Sequence, residues 1–186
     1  HGLGPVAQYM NLCRTEDNFH KIVSYSSPAL GRNQYSKENL SENNSWKNIS
    51  FKNGDINSSI IKTKLGRTIL VQWDETSPRP YTRLNLIQGT RGTLAGFPTR
   101  VALENGFEDI TKDHHNWIEN ENLIRLYENF DHPLYKKLNK KTLKSGHGGM
   151  DGIMMYRIVE CLNNGLPLDQ NVYEGCFWSA VAPLSK

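Results

Sequence analysis

The stretch from Ser59 to Trp73 limits the fold more than any other. Two runs, Ser59 to Thr63 and Thr68 to Trp73, are rich in Ile, Leu, Val and Thr and are separated only by Lys64-Leu65-Gly66-Arg67. Such side chains suit the pleated, half-buried surface of a strand. A four-residue connection that holds a glycine turns the chain straight back, so the pair predicts an antiparallel hairpin. An isolated two-stranded ribbon is marginal in water, so the hairpin has to find neighbours. The candidates are Phe19 to Ser26, closed by Ser27-Pro28, then Arg83 to Gln88, where Leu84 and Leu86 alternate with Arg83 and Asn85, and one or two strands within Gly92 to Leu103.

Helical signals sit mostly later. Gly4-Pro5 followed by Val6, Ala7, Tyr9 and Met10 predicts a first helix running to about Cys13, with Pro in the opening turn. Three more are expected at Glu119 to Asn129, at Pro133 to about Leu143, and at Asp151 to Asn163, the last stopped by Gly165 and Pro167. Ile153, Met154, Ile158, Cys161 and Leu162 form an apolar stripe on that last helix and are expected in the core. A final helix is expected from Asn171 to Ala180. Strands first and helices after predict an α+β fold, an open, largely antiparallel or mixed β-sheet with helices packed on one face.

At 186 residues the chain suits one domain, 1–186. It would carry a polar insertion at about 32–59, where 13 of 28 residues are Asn or Ser, with Trp46, Ile49 and Phe51 pinning its middle. The net charge of +3 is too balanced to argue for nucleic acid, and no apolar run approaches the roughly 18 residues of a membrane span. Lys136, Lys137, Lys140, Lys141 and Lys144 have the spacing of a solvated helix face. Cys13, Cys161 and Cys176 are odd in number and scattered, as buried small hydrophobes are, and suggest neither a disulfide framework nor a zinc ribbon. The chain opens on His1 without an initiator Met, so it reads as part of a longer protein whose targeting signal would lie upstream.

Four places stand out chemically. His1 directly precedes a helix start, and an imidazole exchanges protons near neutral pH. Thr76-Ser77-Pro78-Arg79-Pro80-Tyr81 follows a strand, and its two prolines fix the backbone and so aim Arg79 and Tyr81. Gly146-His147-Gly148-Gly149-Met150-Asp151 opens a helix with glycines that admit a close neighbour, Asp151 being a natural cap. Trp73, Trp117 and Trp178 have rings that could stack on a sugar, although tryptophan is more often core. Asp113-His114-His115 has no third metal ligand in view and reads as a solvated loop. The sequence has no dinucleotide or P-loop glycine motif, and Pro5 removes an amide that Gly2-Leu3-Gly4 would need to cradle a phosphate. It also has no pair of acids at diagnostic spacing.

Three ordered segments resemble glycoside hydrolase family 109. They are His1 to Met10, Val71-Gln72-Trp73-Asp74 through Ser77-Pro78-Arg79-Pro80-Tyr81 to Gly89-Thr90, and His147-Gly148-Gly149-Met150-Asp151 through Gly165-Leu166-Pro167-Leu168-Asp169 to Trp178-Ser179. That family is the NAD-dependent α-N-acetylgalactosaminidase branch of the Gfo/Idh/MocA oxidoreductase-like proteins. The resemblance implies a two-domain enzyme whose N-terminal Rossmann domain, outside this chain, holds NAD, and whose C-terminal domain is the present chain. It implies His1 as a catalytic residue and Tyr81 at the sugar, with Arg79 and His147 as weaker substrate-binding candidates. It also implies oxidation of a sugar at C3, elimination across C1–C2, water addition and re-reduction, a scheme outside two-carboxylate glycoside hydrolysis. A homo-oligomer formed through the sheet face is expected, and an inactive chain when it stands alone. Export is compatible with the resemblance. Two other readings stay open, a sugar dehydrogenase of the same superfamily and a non-catalytic carbohydrate-binding or oligomerisation module.

Overall fold

A computed structural model describes residues 1–185, Asn139 by its backbone alone. The chain divides into two units, one made of His1–Tyr81 with the stretch from Val172 onward, the other of Thr82–Asn171.

In the first unit β1 (Phe19–Ser26), β2 (Ile56–Thr63) and β3 (Thr68–Asp74) form an antiparallel sheet in that order. The hairpin forms where the sequence places it, with Gly66 at φ +92° in the turn, a conformation that side chains with a Cβ resist. Along β2, Ser59, Ile61 and Thr63 point inward while Ile60 and Lys62 point out. Ile22, Ile61 and Ile69 are cross-strand partners on the inner face. Ala7, Leu12, Ile61 and Ile69 form the buried cluster, with Phe19, Phe177 and Trp178 packed against it. Helices α1 (Leu3–Tyr9), α6 (Val172–Ser179) and α7 (Val181–Leu184) contribute the covering side chains. The ring centroids of Phe19 and Phe177 lie 4.0 Å apart.

Beneath the hairpin turn, Asp17 is fully buried. Its carboxylate accepts hydrogen bonds from the Leu65 amide at 2.9 Å, the Thr63 hydroxyl at 3.2 Å and the Arg67 guanidinium at 2.6 Å. Burial works against its charge, but these three donors outweigh that and hold its carboxyl below the usual range. The first helix stops at Tyr9, short of Cys13, because Asn11 and Cys13 take positive φ and lead the chain down to Asp17.

The stretch 32–59 is not a structureless loop. Helix α2 (Leu30–Asn39) occupies its start, and β2 begins at Ile56 within it. Propensity alone would not make a helix of Gly31, Asn33 and Ser36. The Asp55 carboxylate, from beyond the helix, accepts the Gly31 and Arg32 amides at 2.7 and 3.1 Å and satisfies the free N–H groups of the first turn. Trp46 stacks on Phe51 at 6.1 Å but is itself exposed, as is Ile49, so these residues brace the segment locally.

In the second unit β4 (Leu86–Gly89), β5 (Gly92–Ala95) and β6 (Arg100–Leu103) form another antiparallel sheet. Helices α3 (Glu121–Phe130), α4 (Pro133–Thr142) and α5 (Met150–Asn164) follow, the last preceded by a 3-10 turn at His147–Gly149. Leu123, Leu138 and Cys161 are buried one from each helix. The α+β class holds, but the strands make two three-stranded sheets where one was expected. Pro78 and Pro80 fall between β3 and β4, and a proline has no amide for a ladder. The α5 stripe is only partly core, for Cys161 is buried while Met154 and Leu162 are 54% and 68% exposed. Of the other cysteines, Cys13 is half-buried and Cys176 exposed. No helix among the described residues is long and apolar enough to cross a membrane.

Candidate functional site

His1, Arg79 and Tyr81 belong to the first unit and His147 to the second. His1 is exposed immediately ahead of α1, whose N-cap position is Gly2. Helix α6 holds α1 near both of its ends. Trp178 lies against Gly4, where a Cβ would sit 3.3 Å from the indole. One turn earlier on α6, the buried Glu174 takes the Arg14 Nε at 2.5 Å and the Gln8 Nε2 at 3.4 Å. Trp178 is therefore a packing residue in this unit, with its indole N–H buried and without a hydrogen-bond partner.

Tyr81 is 73% exposed at the end of the two-proline segment. The segment is anchored by a residue that the sequence reading did not single out, Asp74. Its Oδ1 accepts the Thr76 and Ser77 amides at 3.3 and 3.1 Å, and its Oδ2 lies 3.3 Å from the Arg79 Nε. The Ser77 amide, foremost among these groups, holds the Asp74 carboxyl below its usual range. Arg79 thus serves first to brace the turn, leaving Tyr81 as the residue that the turn presents outward. The signal was present, since an Asp two residues before a Thr and three before a Ser is the pattern of an Asx-turn. No local pattern announces Glu174, whose partners lie at the other end of the chain.

His147 opens the 3-10 turn at φ +54°, and its Nδ1 sits 3.0 Å from both carboxylate oxygens of Asp151. A carboxylate only accepts, so Nδ1 is the donor and Nε2 is left outward. Asp151 is not the helix cap, because Gly149 takes the N-cap position at φ +98° without a side-chain bond. The close neighbour that these glycines admit is Asp151 itself, whose carboxylate lies where a Cβ on Gly146 would be. An anion already built into this turn repels a second one, so the pyrophosphate of a dinucleotide does not fit here. Asp113 and His115 pair with each other at 3.1 Å in an exposed loop.

The whole chain, residues 1–186, matches the family model described as glycosyl hydrolase 109, C-terminal domain. It is similar to glycosyl hydrolase family 109 protein 1 of Akkermansia muciniphila, 60% identical over the full chain and 38% of that protein. Protein 2 of the same organism is 59% identical over 39% of its length, and the family 109 protein of Shewanella baltica is 49% identical over 40%. The chain thus spans about two fifths of the length of these relatives. Its α+β architecture and its full-length match agree, and the chain belongs to the glycosyl hydrolase 109 family as that family's C-terminal domain.

Proposed function

We propose that the complete protein is an NAD-dependent glycosidase that hydrolyses α-N-acetylgalactosaminides by transient oxidation at C3, elimination across C1–C2, water addition and re-reduction. The reading is carried by the whole-chain family match, and the exposed Tyr81 at the end of its Asp74-anchored turn supports it. The dinucleotide, held by parts of the protein outside this chain, supplies the hydride chemistry. The present residues handle protons and position the sugar. His1, exposed ahead of α1, accepts or returns a proton at the ring. Tyr81, held out by the Asp74-anchored turn, hydrogen-bonds a sugar hydroxyl.

In the complete protein, His1→Ala should lower release of nitrophenol from an aryl α-N-acetylgalactosaminide about a hundredfold or more while NAD stays bound. Tyr81→Phe should cost on the order of 1 kcal/mol in kcat/KM with the fold intact. Near-normal turnover by His1→Ala would remove it from the mechanism, and loss of NAD would make it structural.

The outer face of the first sheet supports a second part of the reading, a homo-oligomer. Val23, Ile60 and Leu70 are cross-strand partners in one exposed row, and the exposed Tyr25 lies on the same face of β1. A contiguous row of exposed apolar side chains is normally covered. Ile60→Glu should shift the complete protein to a smaller species in sedimentation, and an unchanged mass would refute that face as the contact.

A further inference from the structure

We propose that the second unit carries a carbohydrate-binding subsite in the cleft bordered by the β4–β5 turn, the end of β6 and the loop leading to Trp117. The cleft has a volume of about 430 Å³, within the range of small-ligand sites. Thr90, Arg91, Glu104, His114, Asn116 and Trp117 line it.

Its frame is rigid. The Glu104 amide donates to the Arg91 carbonyl at 3.0 Å, tying the turn to the strand end opposite. A Cβ on Gly92 would come within 2.8 Å of the Ala102 carbonyl, so the two strands meet closely beneath the cleft. Val101 and Ile118 exchange both backbone hydrogen bonds, at 3.0 and 2.7 Å, and Ile118 is fully buried. The residue just before it, Trp117, is therefore carried on fixed backbone.

Trp117 has the properties of a platform. The Arg100 guanidinium lies 4.8 Å from its ring centroid and is not among the cleft-lining groups, so it steadies the indole from outside the cleft. Yet 39% of the residue remains exposed. The polar lining mixes a cation, a carboxylate, an amide, an imidazole and a hydroxyl. Glu104 opposes an anionic ligand, and this much polarity opposes an apolar one. A pyranose meets both demands, offering a face of C–H bonds to the negative face of the indole and a rim of hydroxyls to the side chains. The choice of sugar as ligand class rests on the glycosidase reading above.

The test places 5-fluorotryptophan in the complete protein and identifies the Trp117 signal by its loss in Trp117→Phe. Methyl α-N-acetylgalactosaminide or galactose should shift that signal saturably, with a Kd of about 1 mM. Asn116→Ala and Glu104→Gln should weaken the response about tenfold, with turnover of a small aryl glycoside unchanged. A Trp117 signal that no sugar moves in a protein that turns over the aryl glycoside would overturn the subsite. So would a signal moved by adenosine monophosphate or phosphate and not by sugars. A sugar-responsive Trp117 in a protein without glycosidase activity would support the subsite and overturn the proposed reaction instead.

Discussion

The two units hold themselves together differently. In the first, a buried apolar cluster under one sheet face is joined to a fully buried carboxylate, Asp17, whose ligands come from the hairpin above it. In the second, buried side chains are single and dispersed, and the charged contacts lie outside. Arg125 pairs with Glu108 and Asp109 on the surface, and the half-buried Arg157 pairs with the half-buried Glu160 and the exposed Asp169. Burial makes electrostatics strong and makes packing defects costly, whereas exposed ion pairs contribute little. The first unit should therefore be the more cooperative. The second should tolerate substitution better.

Substitution at Ile61 probes the difference most strongly. Ile61 is fully buried between two strands and a helix, so Ile61→Ala should destabilise the protein by about 3 to 4 kcal/mol in denaturant unfolding. A loss under about 1 kcal/mol would mean that the first unit has no specific core.

Asp17→Asn comes next. It keeps the shape but removes the charge that Arg67 and two further donors are arranged to meet, and should cost about 2 kcal/mol at pH 7. The native carboxyl titrates below its unfolded range of about 4, so its contribution is complete above that range and is lost as pH falls through the native value. Unfolding free energies of the two proteins should therefore converge in acid. A gap that stays constant down to low pH would show that Asp17 acts by shape alone.

Leu162→Ala should do least. Leu162 is exposed on α5, and its removal should change stability by about 0.5 kcal/mol or less. A loss as large as that of Ile61→Ala would place α5 in a core of the complete protein and erase the contrast between the units.

Much of the architecture is legible in local patterns. β1 spans Phe19 to Ser26 as its β-branched and aromatic run suggests, and the hairpin turns at Gly66. α4 starts at Pro133, and α5 ends before Gly165 in its left-handed cap. Each depends on residues within one turn or one strand, where steric and hydrogen-bonding preferences act directly. At the site, the two prolines and the exposed Tyr81 follow from Ser77-Pro78-Arg79-Pro80-Tyr81, while the part of Arg79 as a brace depends on Asp74. Helix α2 was illegible because the carboxylate that completes its first turn, on Asp55, is 24 residues away from Gly31.

The sequence by itself determined the hairpin, the start of α4 and the end of α5, the two-proline turn and the family to which the motifs point, because these depend on neighbours along the chain. The tertiary structure alone decided that the strands divide into two sheets, that Asp17 is the buried anchor, that α5 keeps Met154 and Leu162 in solvent, and that Glu174 holds the helix behind His1. Thr63 reaches Asp17 across 46 positions and Gln8 reaches Glu174 across 166. Burial and pairing at such separations are collective outcomes, set by which surfaces meet when the whole chain packs, and no window of sequence contains them.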